Sequence, residues 1–314
     1  MSVKEPSPHA RPDLPARVQI YEVGARDGLQ NEPAVVPVTT KAEFIARLVG
    51  AGLRTVEATS FVSPKWVPQL GDAEALFPLL PRPDDVRYPV LVPNLAGLER
   101  ARTAGVRHVA VFASATESFA QRNLNRTVEE SLEMFAPVMA GARQDGMWVR
   151  AYISMCFGDP WEGDVPVGQV VAIADRLVVM GAQELSIGDT IGVATPGHVR
   201  DLIDALAGAG IPVSDVAVHF HDTYGQALAN TLAALEAGVT TIDASAGGLG
   251  GCPYAESATG NLATEDLVWQ LHGLGIETGV DLEALVETSA WMASQLGRPS
   301  PSKVVQALLP RGEK

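Results

Sequence analysis

The sequence predicts a single (β/α)₈ TIM barrel with extra C-terminal helices, and three observations carry that prediction. A helical pattern that ends in glycine and runs into a short β-branched strand recurs along the chain. Eight strand–helix units can be counted, and the most unusual polar residues fall just past the ends of the strands. Alternating strands and helices imply a parallel sheet, eight units close a barrel, and barrel chemistry collects at the C-terminal strand ends. An open, doubly wound sheet is the other arrangement that such alternation allows. The length of 314 residues suits one barrel, and a 46% hydrophobic content fills its interior and one face of each helix.

Residues 1–17 are proline-rich and mixed in charge, with neither an apolar leader nor an Arg-rich transit pattern, and read as a loose tail. The barrel is expected over 18–280. Its first strand is 18–23, followed by a helix from near Thr39. Gly52 introduces a strand at 54–61 with a helix from Asp72; the strand at 88–92 leads to a helix from Leu95. Gly105 precedes 106–112 and a helix from Thr127, and Gly146 precedes 147–153 and a helix from Val167. Gly181, Gly210 and Gly238 precede strands at 184–187, 216–220 and 240–245, with helices from Pro196, Gln226 and Thr264. Glycine just past a helix supplies the left-handed C-cap, so its recurrence marks helix exits. Residues 281–314 read as one or two added helices and a polar tail.

With 37 acidic and 23 basic residues the formal charge is −14. That balance argues against a general nucleic-acid or anionic-membrane surface, while leaving room for a local basic patch. The most apolar stretch, 165–182, is broken by Asp175 and Arg176, so no membrane span is expected. Two cysteines, Cys156 and Cys252, make no disulfide framework and fit a reducing cytoplasm.

The seventh strand ends His219-Phe-His221-Asp222, and spacing of two puts both imidazoles on one face of a strand. Alone, that pair also fits packed histidines. The first strand runs into Arg26-Asp27, which alone could be a structural ion pair, and Asn261 follows the eighth strand. In a closed barrel the eighth strand neighbours both the seventh and the first, so Asp27, His219, His221 and Asn261 can converge. Two imidazoles, a carboxylate and an amide oxygen suit a six-coordinate divalent ion, Mg²⁺ or Mn²⁺ best. Zn²⁺ prefers four ligands and often a thiolate, and Fe²⁺ on two histidines and a carboxylate is the main competitor. The stretch Ala246-Gly-Gly-Leu-Gly-Gly-Cys252-Pro lacks the spacing of a phosphate loop and presents a thiol on a glycine-rich segment. That thiol suits nucleophilic or proton-transfer chemistry, whereas Cys156 at an apolar strand end reads as packed.

The motifs Arg26-Asp-Gly-Leu-Gln-Asn-Glu, Val56-Glu-Ala-Thr-Ser-Phe-Val-Ser-Pro-Lys-Trp, Gly188-Asp-Thr-Ile-Gly-Val, His219-Phe-His-Asp-Thr-Tyr-Gly-Gln and Gly248-Leu-Gly-Gly-Cys-Pro-Tyr-Ala resemble those of 3-hydroxy-3-methylglutaryl-CoA lyases. These enzymes belong to the wider DRE-TIM metallolyase group. The resemblance runs from about Val18 to about Val280. It implies a retro-Claisen cleavage to acetyl-CoA and acetoacetate, of the kind used in leucine breakdown and ketone-body metabolism. It implies that Asp27, His219, His221 and Asn261 hold the cation, that Arg26 stabilises the enolate, and that Cys252 transfers a proton. Glu57 and Asp189 match supporting positions, and a homodimer is expected. Lys65, Arg122 and Arg126 are candidates for the CoA phosphates, each equally readable as a solvated surface charge. Residues 154–163 depart most from the family pattern and bear on the acyl group accepted. The alternatives are a lyase for a longer-chain 3-hydroxy-3-alkylglutaryl-CoA, a Claisen-type synthase of the same barrel group, and a catalytically inactive binding barrel. The 35 or so residues after the barrel are far short of the further domain such synthases carry.

Overall fold

The computed structural model describes residues 5–252 and 255–309, and for 251–252 and 255–259 the description is of the backbone. Eight parallel segments line a central sheet: β1 (Gln19–Glu22), β2 (Thr55–Val56 and Thr59–Ser60), β3 (Val90–Leu91) and β4 (His108–Ser114) come first. β5 (Trp148–Ser154), β6 (Glu184–Asp189), β7 (Val216–Phe220) and β8 (Thr241–Ala244) complete it. The hydrogen-bonded order runs from Thr55–Val56 through β1, β8, β7, β6, β5, β4 and β3 to Thr59–Ser60. Both ends of that order belong to β2, so the sheet closes on itself. Between its two ladders the β2 backbone alternates sides: the Val56 N–H donates to Arg87 O (3.0 Å), the Glu57 N–H to Glu22 O (2.8 Å) and the Ala58 N–H to Pro89 O (2.9 Å). The sequence reads 54–61 as one strand; the structure gives it two short ladders, Thr55–Val56 against β1 and Thr59–Ser60 against β3, within one run that bonds both neighbours in turn.

The outer layer is α1 (Val38–Gly50), α2 (Ala73–Leu76), α3 (Leu95–Thr103), α4 (Glu117–Leu124), α5 (Val128–Gln144) and α6 (Val167–Met180). It continues with α7 (Pro196–Gly208), α8 (Ala227–Glu236) and α9 (Thr264–Gly273). Each helix buries one stripe. On α7 the buried set is Val199, Leu202, Ile203 and Leu206, spaced three and four apart as a helix face requires. Fully burying each such side chain contributes about 1.5–3 kcal/mol. The helix expected from Asp72 is cut to four residues because Pro78 follows, lacking an N–H and crowding the turn before it. The short α4, not expected from sequence, precedes α5, whose N-terminus is a capping box of Thr127 and Glu130.

Strand alternation sorts side chains between two cores. On β5, Val149, Ala151 and Ile153 pack outward against helices, while Tyr152 joins Tyr21, Val23, Leu91 and Ala110 inside the barrel. Arg150 shares the inward face and is wholly buried. Residues 9–17 depart from a loose tail. The His9 N–H donates to Gly273 O, Leu14 is buried, and Arg17 bridges to Glu277, so this run lies against the barrel wall. Beyond the barrel, α10 (Leu282–Leu296) packs on α1, with the Arg47 guanidinium 4.5 Å from the Trp291 ring, and α11 (Lys303–Leu308) starts on a Ser302 cap. Among the described residues no helix is long and apolar enough to cross a membrane.

Candidate functional site

The chain leaves β1 in a π-type turn, Gly24–Gly28, in which the Val23 carbonyl accepts N–H bonds from Arg26 (3.1 Å), Asp27 (2.7 Å) and Gly28 (3.2 Å). Such widened turns recur at functional sites because they re-aim side chains. Here the turn places Arg26 between two carboxylates. Its Nε donates to Glu57 Oε2 at 2.6 Å and its Nη1 to Asp27 Oδ1 at 2.7 Å. Tyr152 Oη donates to the same Glu57 oxygen at 3.1 Å. Burial pushes the Asp27 carboxyl up, but Arg26, His219 and the Asn261 hydrogen bond outweigh it and hold it at about 2. The Asp27 carboxylate is therefore charged throughout the neutral range.

His219 lies on the inward face at the end of β7 with His221 just past it, and their Nε2 atoms face each other at 3.3 Å. One ligand atom from each of Asp27, His219 and His221 lies within 4.8 Å of the others. Burial, then the charge of His219, pushes His221 down to about 3, which keeps its imidazole neutral, the form that ligates. His221 pairs with Asn261 in an isolated antiparallel bridge. Asn261 Nδ2 donates to Asp27 Oδ2 at 2.7 Å and to Leu249 O at 3.0 Å, while its Oδ1 and His221 Nδ1 are buried with no hydrogen-bond partner. The four residues named from sequence thus meet, with an unsatisfied amide oxygen among them.

Below this cluster lies a group the sequence reading missed. Asp243 Oδ2 is 3.1 Å from His219 Nδ1 and accepts from Ser186 Oγ at 2.9 Å; Asp243 Oδ1 accepts from Arg150 Nη2. The Arg150 guanidinium lies 3.7 Å from the Tyr21 ring centroid and 4.8 Å from that of Tyr152. A signal was present: Arg150 and Tyr152, Glu184 and Ser186, and Asp243 and Ser245 are polar residues at spacing two in otherwise apolar strands. Seeing that they meet requires the register, in which β7 and β8 place His219 opposite Asp243.

The glycine-rich segment after β8 is tied down at its root. Glu22 Oε1 accepts from the Gly24 N–H (2.7 Å) and the Ala246 N–H (2.8 Å), and its Oε2 from Thr264 Oγ1 (2.6 Å). Both Glu265 oxygens accept from the Gly247 N–H, at 3.0 and 2.9 Å. Two glycines are required by contact. A Cβ on Gly28 would lie 2.7 Å from Leu249 Cβ, and at Gly250 (φ +103) it would lie 2.6 Å from Asn261 Nδ2. Beyond it β9 (Gly251–Cys252) and β10 (Ala255–Thr259) pair antiparallel. The Cys252 thiol lies outside the described side chains.

Burial pushes Glu265 up to about 8, well above an ordinary carboxyl. Between the unfolded value near 4.5 and 8 the folded chain therefore holds a proton that the unfolded chain has lost, so stability falls as pH rises through that window. Glu265→Gln, which keeps the shape without the charge, is expected to flatten the fall in Tm between pH 5 and 8.5, a difference of a few kcal/mol at the alkaline end. Parallel Tm–pH profiles for the two proteins would refute this account.

Asp189 closes β6, and its oxygens accept from the Val193 and Ala194 N–H groups at 2.9 and 3.1 Å; burial pushes its carboxyl up to about 6. Cys156 is buried, with Sγ 3.0 Å from Ile153 O, and burial pushes its thiol far up. Lys65 is exposed in the segment beyond β2, Arg122 is exposed in the last turn of α4, and Arg126 is exposed just past that helix. Arg122 stacks over the Trp161 ring at 4.1 Å.

The family model HMGL-like matches residues 17–292. A rat protein named hydroxymethylglutaryl-CoA lyase, mitochondrial, is 49% identical over 98% of this chain and 94% of its own. A hydroxymethylglutaryl-CoA lyase structure from Pseudomonas aeruginosa superposes with a TM-score of 0.92 at 49% identity, covering 94% of this chain and 98% of that one. A third, an HMG-CoA lyase from Acinetobacter baumannii in complex with coenzyme A and 3-methylmalate, has a TM-score of 0.89 at 34% identity and covers 97% and 98%.

Proposed function

The chain belongs to the HMGL-like family, and on that footing we propose that it cleaves 3-hydroxy-3-methylglutaryl-CoA to acetyl-CoA and acetoacetate, a divalent-metal-dependent carbon–carbon lyase reaction. The observation that carries the reading is the convergence of Asp27, His219 and His221 within 4.8 Å beside the Arg26 guanidinium, in a fold matched over nearly its whole length by such lyases.

The donor set fits a hard divalent cation. Two imidazoles, an ionised carboxylate and the unsatisfied Asn261 oxygen would hold it once the amide turns that oxygen inward, and a set with no thiolate among the described residues favours Mg²⁺ or Mn²⁺. Bound there, such an ion supplies Lewis-acid chemistry that lowers the cost of deprotonating an alcohol. In the cleavage the hydroxyl loses its proton, its oxygen becomes the ketone of acetoacetate, and the pair from the broken C–C bond moves onto the acetyl-CoA fragment as an enolate. Arg26, fixed by Glu57 and Asp27, offers its remaining nitrogen to that enolate oxygen, a contact stronger in the transition state than in the ground state. Cys252 gives its thiol proton to the enolate carbon, and the proton released from the hydroxyl restores the thiol through solvent, so no proton is gained or lost overall. Glu57 and Tyr152 hold the guanidinium plane; Asp189 shapes the loop after β6. Lys65, Arg122 and Arg126 are assigned to the CoA phosphates, and the protein is assigned as a homodimer, which light scattering tests.

The direct test strips the protein with a chelator and assays the methyl thioester with and without Mg²⁺ or Mn²⁺, beside Cys252→Ala. Metal-restored acetoacetate formation, lost in the variant while metal binding persists, is expected. Absence of cleavage with either metal overturns the assignment and makes the longer-chain thioesters the next substrates to try.

A further inference from the structure

The cluster beneath the metal-site residues gives the two histidines unequal support. His221 Nδ1 is buried with no partner, and among the described residues the one side-chain hydrogen-bond contact of its ring is Nε2 against His219 Nε2, at 3.3 Å. His219 Nδ1 instead faces Asp243 Oδ2 at 3.1 Å. Asp243 is itself wholly buried and held from its other side by Arg150, which is fixed in the barrel interior between the Tyr21 and Tyr152 rings. Register explains the arrangement. On neighbouring inward-facing positions, β7 supplies His219 opposite Asp243 of β8, and β5 supplies Arg150 opposite Glu184 of β6.

We propose that Asp243, anchored by Arg150, is the positioning residue that keeps His219 in the Nδ1–H tautomer and so leaves the Nε2 lone pair open toward Asp27 and His221. A carboxylate between Arg150 and His219 can only accept, so the imidazole must donate from Nδ1. Groups behind a metal-binding histidine orient the ring, fix its tautomer and raise its basicity. The inference rests on the metal-site reading above only for the use made of Nε2; the tautomer itself exists without metal.

Asp243→Asn makes the logic testable because Arg150 is an obligate donor. The amide oxygen must turn to Arg150, which puts the NH₂ group against His219 Nδ1. That nitrogen then has to accept, the proton moves to Nε2, and the metal-facing lone pair is closed. The same substitution behind a catalytic histidine in serine proteases selects the wrong tautomer in this way.

The experiment records ¹⁵N imidazole spectra of the metal-free full chain near pH 8.5, about two units above the ordinary imidazole value, and Mn²⁺ binding by electron paramagnetic resonance. Wild type is expected to show His219 as Nδ1–H. Asp243→Asn is expected to show Nε2–H, with Mn²⁺ binding weakened about 10- to 100-fold. Adding Arg150→Met to Asp243→Asn removes the obligate donor, lets the amide turn its oxygen to His219, and is expected to restore the Nδ1–H signal and most of the affinity. A merely structural role for Asp243 moves neither the tautomer nor its rescue. His219 found as Nε2–H in wild type overturns the proposal even if no variant folds, as does an Asp243→Asn protein that keeps wild-type tautomer and affinity. A wild type that shows Nδ1–H yet binds no Mn²⁺ refutes the metal reading and leaves the positioning role standing.

Discussion

Replacing Arg26 with methionine is expected to lower kcat by roughly 100- to 1000-fold while KM changes little. The expectation follows from where the guanidinium is held and what charge it meets. Nε and Nη1 are engaged by Glu57 and Asp27 at 2.6 and 2.7 Å, so the group does not need to reorganise when the enolate forms. Removing one fixed donor from a developing oxyanion typically costs that factor, and here a full positive charge goes with it. Methionine keeps much of the stem's volume, so the barrel mouth stays packed. Glu57 loses its strongest partner. Burial already pushes its carboxyl up, so it takes a proton rather than remaining as a buried anion, and the Tyr152 hydroxyl still reaches it. The variant should therefore fold, which a thermal melt checks beside the kinetics. Arg26→Lys is not expected to recover the rate, because a single ammonium cannot face Glu57, Asp27 and a substrate oxygen in one plane. A variant whose KM rises with kcat unchanged would place Arg26 in ground-state binding and remove it from the chemical step.

Much of this site was legible in the sequence because its residues sit where a barrel puts its chemistry. Asp27, His219, His221 and Asn261 follow strands whose ends the glycine punctuation marks, and strand adjacency in a closed sheet predicts that they meet. The structure brings them together. What was not legible depends on register and on the reverse side of each strand. Arg150 and Asp243 are 93 residues apart, and each alone reads as a charge in a strand. Only the β5-to-β8 registers bring them under His219. Glu22 was invisible for a related reason. It points away from the barrel axis, between strand and helix, and its partners Ala246 and Thr264 are more than 200 residues away.

Asp27→Asn is expected to weaken Mg²⁺ or Mn²⁺ binding at least roughly 1000-fold and to abolish turnover at ordinary metal concentrations. Asp27 is the only anionic member of the donor set, and its carboxyl is held at about 2, so at neutral pH it offers a full negative charge. Two unit charges 4 Å apart at an effective dielectric near 20 attract by about 4 kcal/mol, and a dication doubles that figure; each 1.4 kcal/mol is about tenfold in affinity. Without the carboxylate the cation would meet two imidazoles, two amides and the positive charge of Arg26. Geometry is not the obstacle. Arg26 Nη1 can still donate to an amide oxygen at the position of Oδ1, and Asn261 can turn its unsatisfied Oδ1 toward the new NH₂ group. That rearrangement withdraws the Asn261 oxygen from the cation as well, so one substitution removes two donors. Asn261→Ala, which removes only the neutral one, should cost much less affinity than Asp27→Asn. Titrating chelator-stripped proteins with Mn²⁺ ranks the two directly. Equal losses would mean that donor count rather than charge holds the ion, and wild-type affinity in Asp27→Asn would remove Asp27 from the metal site altogether.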